Sequence, residues 1–303
     1  MSNSKEMKLS SISRKRKITQ IVLILFLTVL CIVTVLPFLI LVSASFSNEK
    51  DVAMYGFRLI PMKIDLAAYR YVLNTGKPLL QAYINTIWIS FVKTGLVIFF
   101  NGLMAYPLSR KDFIDKGKMT MYLYFTTLFS GGAAASYILI TRYLHMGNTP
   151  LVYLLPSMIS PWIIFYIRTF FNGIPYEISE SAFMDGAGHF TIFWKIMMPL
   201  SKPILATQAL GCFLATWNDW YTSMLYVKDT KLQMLQWYMQ RIIMNAQVMK
   251  MAEQQFGVVV NMEMPMETAR MAMAVLVAGP ALFIFPFFQK YFAKGMVVGS
   301  VKG

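Results

Sequence analysis

Charge, cysteine and histidine are all scarce in this sequence. Only 14% of its 303 residues are Asp, Glu, Lys or Arg, against roughly a quarter in soluble domains. The net charge of +14 does not indicate nucleic-acid binding, because the cations lie beside apolar segments and form no basic domain. Both cysteines, Cys31 and Cys212, sit inside apolar runs, which argues against a disulfide framework or a thiolate metal site. The two histidines, His145 and His189, have no metal-type spacing, and H-E-x-x-H is absent. With no nucleophile–base pair or metal ligands at membrane depth, an intramembrane enzyme lacks its parts. No catalytic or metal-ligating residue is expected. G-x-x-x-x-G-K-[ST] is also missing, so the chain does not cradle nucleotide phosphates itself. There is no internal repeat and no low-complexity linker.

What the chain has in quantity is apolar sequence. Hydrophobic residues make up 57% of it, and the mean hydropathy is +0.53. The fold class expected is all-α: a polytopic membrane protein with six transmembrane helices. An apolar helix of about 20 residues spans the hydrocarbon core. Ile21–Val42 is the clearest candidate, carries no charge, and should favour insertion by roughly 5 to 11 kcal/mol. A cleaved signal peptide fits less well, because its apolar region is usually only about 7 to 15 residues long. Further spans are expected near Tyr83–Met104, Met121–Thr141, Leu151–Ile167, Pro203–Tyr226 and Met271–Phe288. The run Arg14-Lys15-Arg16-Lys17 and an excess of Lys and Arg on the same side place both termini in the cytoplasm. The organisation expected is a cytoplasmic tail (1–20), a membrane domain (21–288) with outer loops at 47–78 and 227–270, and a cytoplasmic tail (289–303).

The cytoplasmic loop from Arg168 to Lys202 is short, polar and patterned. Pro175 suits the start of a helix. Glu177 and Glu180 lie in its early turns, where negative charge complements the helix dipole. Gly186 allows the reversal that ends a helix. A second helical stretch, Thr191 to Met198, then runs to Pro199. The loop reads as helix, glycine break, helix: a knob able to fill a groove on a partner. Interfacial helices that merely lie on lipid usually carry Lys and Arg, whereas this one carries Glu177, Glu180 and Asp185.

Polar residues inside the apolar segments are the other candidates. Lys93 lies near the middle of the second span, where a lysine costs about 2.5 to 3.5 kcal/mol. It should face a partner subunit or a wet cavity, or else snorkel to a headgroup. Trp217, Asn218, Asp219, Trp220 and Tyr221 combine aromatic faces with amide and carboxylate groups, which suits a sugar. An interfacial aromatic belt is the alternative. Ser130-Gly131-Gly132-Ala133-Ala134-Ala135 permits close helix packing. Methionines cluster between Met234 and Met273, an adaptable outer surface.

Several of these segments also resemble a known family. Glu180, Ser181, Ala182, Gly186, Ile196 and Pro199 resemble the EAA loop of ABC importer permeases, with Ser181 in place of alanine and Met198 in place of leucine. Ala105-Tyr106-Pro107-Leu108-Ser109-Arg110, Trp217-Asn218-Asp219 and the tail from Phe288 to Gly303 resemble segments of the maltose-type carbohydrate permeases. The likeness is closest to the subgroup for oligosaccharide and polysaccharide-fragment uptake. It implies a type I ABC importer permease fold in the cell membrane and carbohydrate cargo. It also implies three partners: a homologous second permease forming a heterodimer, a dimeric ATPase that binds the ATP and Mg, and an extracytoplasmic solute-binding protein. Glu177, Glu180, Ser181, Ala182, Asp185, Gly186, Ala187, Ile196 and Pro199 would then couple to the ATPase, and Gly299, Ser300, Val301, Lys302 and Gly303 would contact it. Other cargo classes, or a channel or receptor, are the competing readings.

Overall fold

A computed structural model describes residues 2–74, 76–256 and 266–299, with side chains described except at 2–16, 18, 250, 253–254, 256 and 287–299. Among the described residues there are helices and turns and one isolated bridge, Ser47 to Ile64. The chain divides into two compact units, residues 1–74 with 259–276, and residues 75–258 with 277–303.

In the first unit, α1 (Ser2–Ser45) runs unbroken through the first expected span. Within its segment Thr19–Ser45, an 18-residue window has a mean hydropathy of 3.0 and buries nothing inside the chain, as befits a helix whose surroundings are lipid or a partner. The segment after it is ordered into α2 (Glu49–Tyr55) and α3 (Ala67–Leu73). The Ser45 hydroxyl meets the Tyr69 hydroxyl at 2.8 Å, and Asn48 Nδ2 donates to Asp65 at 2.8 Å. The Glu49 carboxylate accepts from the Glu267 and Thr268 amides at 2.9 Å and from the Thr268 hydroxyl at 2.6 Å. Those amides belong to the first turn of α15 (Met266–Gly299), whose N–H groups have no partner within the helix.

The second unit is organised on α4 (Lys77–Ser109), 33 residues long and continuous through the second expected span. Against it pack α8 (Pro161–Asn172) and α12 (Lys202–Trp217). Gly102 of α4 faces the segment that precedes α12, where a Cβ would lie 3.3 Å from Met198 Sδ and 3.7 Å from the Phe193 ring. The remaining elements are α5 (Lys116–Leu128), α6 (Gly132–Ile138) with a wide turn at Leu139–Tyr143, α7 (Leu151–Leu154), α9 (Tyr176–Met184), α10 (His189–Ile192), α11 (Met198–Leu200), α13 (Tyr221–Tyr226) and α14 (Leu235–Phe256).

Among the described residues, three helices are long and apolar enough to cross a membrane alone, with a fourth if α5 and α6 count as one bent span. Of the six expected spans, three are continuous helices among the described residues and three are interrupted. The third expected span bends by 109° between α5 and α6, because Gly132 takes φ +78°, a left-handed conformation open to glycine. Ser130-Gly131-Gly132 thus makes a bend, and the alanines after it bury nothing within the chain. The fourth breaks at residues 155–160 between α7 and α8, with prolines at 156 and 161. The fifth breaks at 218–220 between α12 and α13.

Candidate functional site

The loop between α8 and α12 folds as two short helical pieces around a glycine reversal. Its first piece, α9, begins directly after Pro175 and ends in a Schellman closure. The Ala187 N–H reaches the Ala182 carbonyl and the Gly186 N–H reaches the Phe183 carbonyl, each at 2.9 Å. Gly186 has φ +80° with open space where a Cβ would be, so the position requires glycine for its backbone conformation and not for room. Ala182 and Ala187 pack on the core below the loop, which supplies the apolar contact that accompanies this closure.

The second piece, α10, continues through a widened turn over Phe193–Met197 into α11. The Met198 N–H reaches back five residues to the Phe193 carbonyl. Pro199 follows, with no N–H to donate into a regular turn. Ile192, Phe193 and Met197 are buried against α4 and α8, so this piece anchors the knob.

The outward face of the knob is different in kind. Glu177, Glu180, Ser181 and Asp185 are exposed. Met184 is 88% exposed, and Phe190 and Trp194 also stand out. Among the described residues, no ion pair involves Glu177, Glu180 or Asp185. Apolar tips beside uncompensated carboxylates form a surface suited to a partner's basic and apolar groove. Ala182, Ala187 and Ile196 are half-buried and Pro199 is exposed.

Arg110, at the end of α4, holds the inward face of α9. It is 5% exposed. Its guanidinium carbon lies 4.6 Å from the Tyr176 ring centroid, 5.3 Å from Phe183 and 5.7 Å from Tyr106. Tyr176 and Phe183 are seven residues apart, one face of α9. Arg110 Nε is 3.6 Å from Asp112, and Nε and Nη2 make no hydrogen bond. The cation is therefore held by ring faces more than by acceptors. The His189 ring joins the same cluster, with Nδ1 3.3 Å from the Tyr106 hydroxyl and its ring 4.9 Å from Phe183. Sequence reasoning quoted Arg110 within a motif but gave it no task.

The expected substrate-path residues divide. Trp217 is buried, stacks on Phe213 and donates from Nε1 to the Val277 carbonyl of α15 at 3.1 Å. Asn218 donates to the Leu214 carbonyl and accepts from Gln236. Asp219 accepts from the Thr222 N–H at 2.9 Å, which caps α13. Only Trp220 and Tyr221 offer large exposed ring surface, with an edge-to-face pair 6.0 Å apart. Lys93 is half-buried on α4, and among the described residues no ion pair includes it. Of the tail residues, Gly299 ends α15, while Ser300, Val301, Lys302 and Gly303 lie outside the described residues.

Sequence reasoning missed a row of buried polar side chains on α4. The Asn101 amide donates to the Val97 and Met158 carbonyls at 2.6 and 2.8 Å and accepts from the Ser160 N–H at 2.8 Å. Asn85 donates to the Lys231 and Gln233 carbonyls, and the Thr86 hydroxyl accepts from Leu235 N at the start of α14. The available signal was polar residues recurring on one helical face, Thr86, Ser90, Thr94 and Asn101, within an apolar span.

Comparison with known proteins agrees with this arrangement. Over 281 residues, 92% of this chain and 93% of its own, the Protein LplC of Bacillus subtilis (strain 168) is 35% identical. The polygalacturonan/rhamnogalacturonan transport system permease protein YtcP of the same organism is 34% identical over 278 residues, 92% of this chain and 96% of its own. A bacterial ABC transporter involved in import of the acidic polysaccharide alginate has a chain of similar structure. It has a TM-score of 0.79 and 28% identity, and the match covers 92% of this chain and 98% of that one. Residues 9–298 match the family described as the binding-protein-dependent transport system inner membrane component, and the chain belongs to that family.

Proposed function

We propose that this chain is a permease subunit of an ATP-driven importer that passes carbohydrate, in the form of oligosaccharides, from an extracytoplasmic binding protein into the cytoplasm. The observation that carries the reading is the α9–α10 knob: a glycine-closed helix gripped from inside by Arg110 and offering unpaired Glu177, Glu180 and Asp185 outward. In this reading a dimeric ATPase receives the knob and the tail from Gly299 to Gly303. That ATPase binds the ATP and Mg, and a homologous second permease completes the passage. Six crossings, three of them interrupted, bring both termini to the cytoplasmic side. Interrupted helices suit a passage that opens alternately to either face.

Carbohydrate cargo is supported by the relatives, YtcP for polygalacturonan and rhamnogalacturonan and the solved structure for alginate. Within the chain, Trp220 and Tyr221 offer the ring faces a sugar stacks on. Lys93, with no ion-pair partner among the described residues, suits an acidic sugar. Polar residues at membrane depth are costly and mark solute pathways.

The test is to purify the tagged chain from native membranes, identify what accompanies it, and reconstitute the assembly for uptake. The expected result is recovery of an ATPase and a second permease, with uptake of uronic-acid oligosaccharides driven by ATP. A chain recovered alone, or an assembly that moves amino acids and not sugars, overturns the proposal. Lys93→Met should reduce uptake of acidic oligosaccharides about tenfold, the factor expected for a lost contact of roughly 1.4 kcal/mol, with neutral oligosaccharides little changed. Equal loss for both cargoes would remove Lys93 from the acidic-sugar path.

A further inference from the structure

The groove between α5 and α8 has no part in the coupling or the cargo path described above. It has a volume of about 630 Å3 and is lined by Lys116, Gly117, Thr120, Met121, Tyr124, Phe165 and Arg168. Its chemistry is graded along its length. Lys116, Thr120 and Tyr124 succeed one another at single-turn spacing on α5, and Phe165 and Arg168 do so on α8. Arg168 Nη1 donates to the Thr120 hydroxyl at 3.0 Å, which sets both cations and the hydroxyl at one end. Met121, Tyr124 and Phe165 make the other end apolar.

The cations are not neutralised locally. Among the described residues no carboxylate lies within ion-pair distance of Lys116 or Arg168. The neighbouring Asp115 is engaged by Lys118 at 3.0 Å, and Lys116 Nζ reaches only the Arg110 carbonyl, at 3.4 Å. The apolar end opens on side chains left uncovered by the chain, with Met121 68% exposed and Tyr124 50%. An occupant must therefore carry negative charge at one end and a hydrocarbon body at the other. In a protein of an inner-membrane family, the ligand of that description at hand is an anionic phospholipid. A soluble anion would leave Met121, Tyr124 and Phe165 facing water, and a zwitterionic lipid would bring a headgroup cation along with its phosphate, adding no net negative charge beside the two cations.

We propose that the α5–α8 groove binds one anionic phospholipid, its phosphate between Lys116 and Arg168 and one acyl chain along Met121, Tyr124 and Phe165. The site lies at the root of the loop that carries the knob, since Arg168 sits near the end of α8 and α9 begins at Tyr176.

Native mass spectrometry of the full chain, purified with its natural partners and stripped of loose lipid in detergent, reads the site directly. Dioleoylphosphatidylglycerol and dioleoylphosphatidylcholine are titrated separately. One phosphatidylglycerol is expected to bind that phosphatidylcholine does not replace. Removing a juxtamembrane cation weakens attraction to anionic lipid about fivefold. Lys116→Gln should therefore weaken that binding about fivefold and Lys116→Gln with Arg168→Gln about 25-fold, while Lys118→Gln, already paired to Asp115, leaves it unchanged. Lys116→Gln keeps the Arg168–Thr120 bond and serves should the double variant not fold. Equal binding of the two lipids, an unaltered Lys116→Gln, or equal weakening by Lys118→Gln overturns the proposal. So does displacement of the lipid by millimolar inorganic phosphate, which would make this a free-anion site.

Discussion

Three expected spans in the second unit are interrupted, and two of the breaks are mended in opposite ways. The break at residues 155–160, between α7 and α8, is held from outside by Asn101 of α4, a side chain with no exposed surface and more than fifty residues away in sequence. The break at 218–220, between α12 and α13, is mended mostly by its own residues: Asn218 donates back to Leu214, and Asp219 caps Thr222. The side chains at hand explain the difference. At the second break Asn218 and Asp219 supply polar groups of their own. At the first, the amide that pairs the half-buried Met158 carbonyl and Ser160 N–H comes from Asn101, itself fully enclosed. Backbone groups left unpaired there cost free energy, so this break relies on a donor and acceptor from a neighbouring helix. Only one orientation of the Asn101 amide serves, because it must donate to two carbonyls and accept from one N–H.

The contrast can be broken most directly at Asn101. Asn101→Leu keeps the approximate volume and strands the Ser160 N–H and the Met158 carbonyl. At about 1 to 3 kcal/mol for each stranded group, the loss should be on the order of 3 kcal/mol. The measurement is thermal melting in detergent alongside uptake, and an unchanged melting temperature would show that the break needs no outside support. Arg110 tests whether the knob is held by the same long-range logic. A desolvated cation over rings contributes roughly 2 kcal/mol. Arg110→Met should lower stability by about that much, and Arg110→Lys should recover only part of it because a lysine lacks the flat stacking surface. The informative readout is sugar moved per ATP hydrolysed. An unchanged ratio would make Arg110 a packing residue with no part in coupling.

These residues also mark what could be read from the sequence. The α9 boundaries were legible, since Pro175 before it and Gly186 after it act through their own backbones. The continuous helices over the first, second and sixth expected spans were legible from length and hydropathy. The interruptions were only half legible. Prolines 156 and 161 stand in the sequence at the fourth span's break, but the partner that makes an open break tolerable sits on another helix. Trp217 shows another side of this: its neighbours suggested a sugar-facing ring, while the fold gives its N–H a partner on another helix, the Val277 carbonyl. Gly131 and Gly132 read as a packing stripe, and the φ of Gly132 makes a bend there.

Gly186 and Asp219 sharpen the comparison at its local end. Gly186→Ala meets no neighbouring atom, so its cost is the left-handed backbone alone, about 1 to 2 kcal/mol. Gly186→Asn should be milder, because asparagine tolerates that conformation. If alanine and asparagine impair coupling equally, the outward surface of the knob and not its closure is what matters. Asp219→Ala should be the gentlest of all. It removes one cap from a six-residue helix, at about 1 kcal/mol or less, and Asp219→Asn should restore most of that by accepting from the same Thr222 N–H. A loss as large as that of Asn101→Leu, unrelieved by asparagine, would mean that Asp219 acts through its charge on something passing by, and the second break would then be a site and not merely a bend.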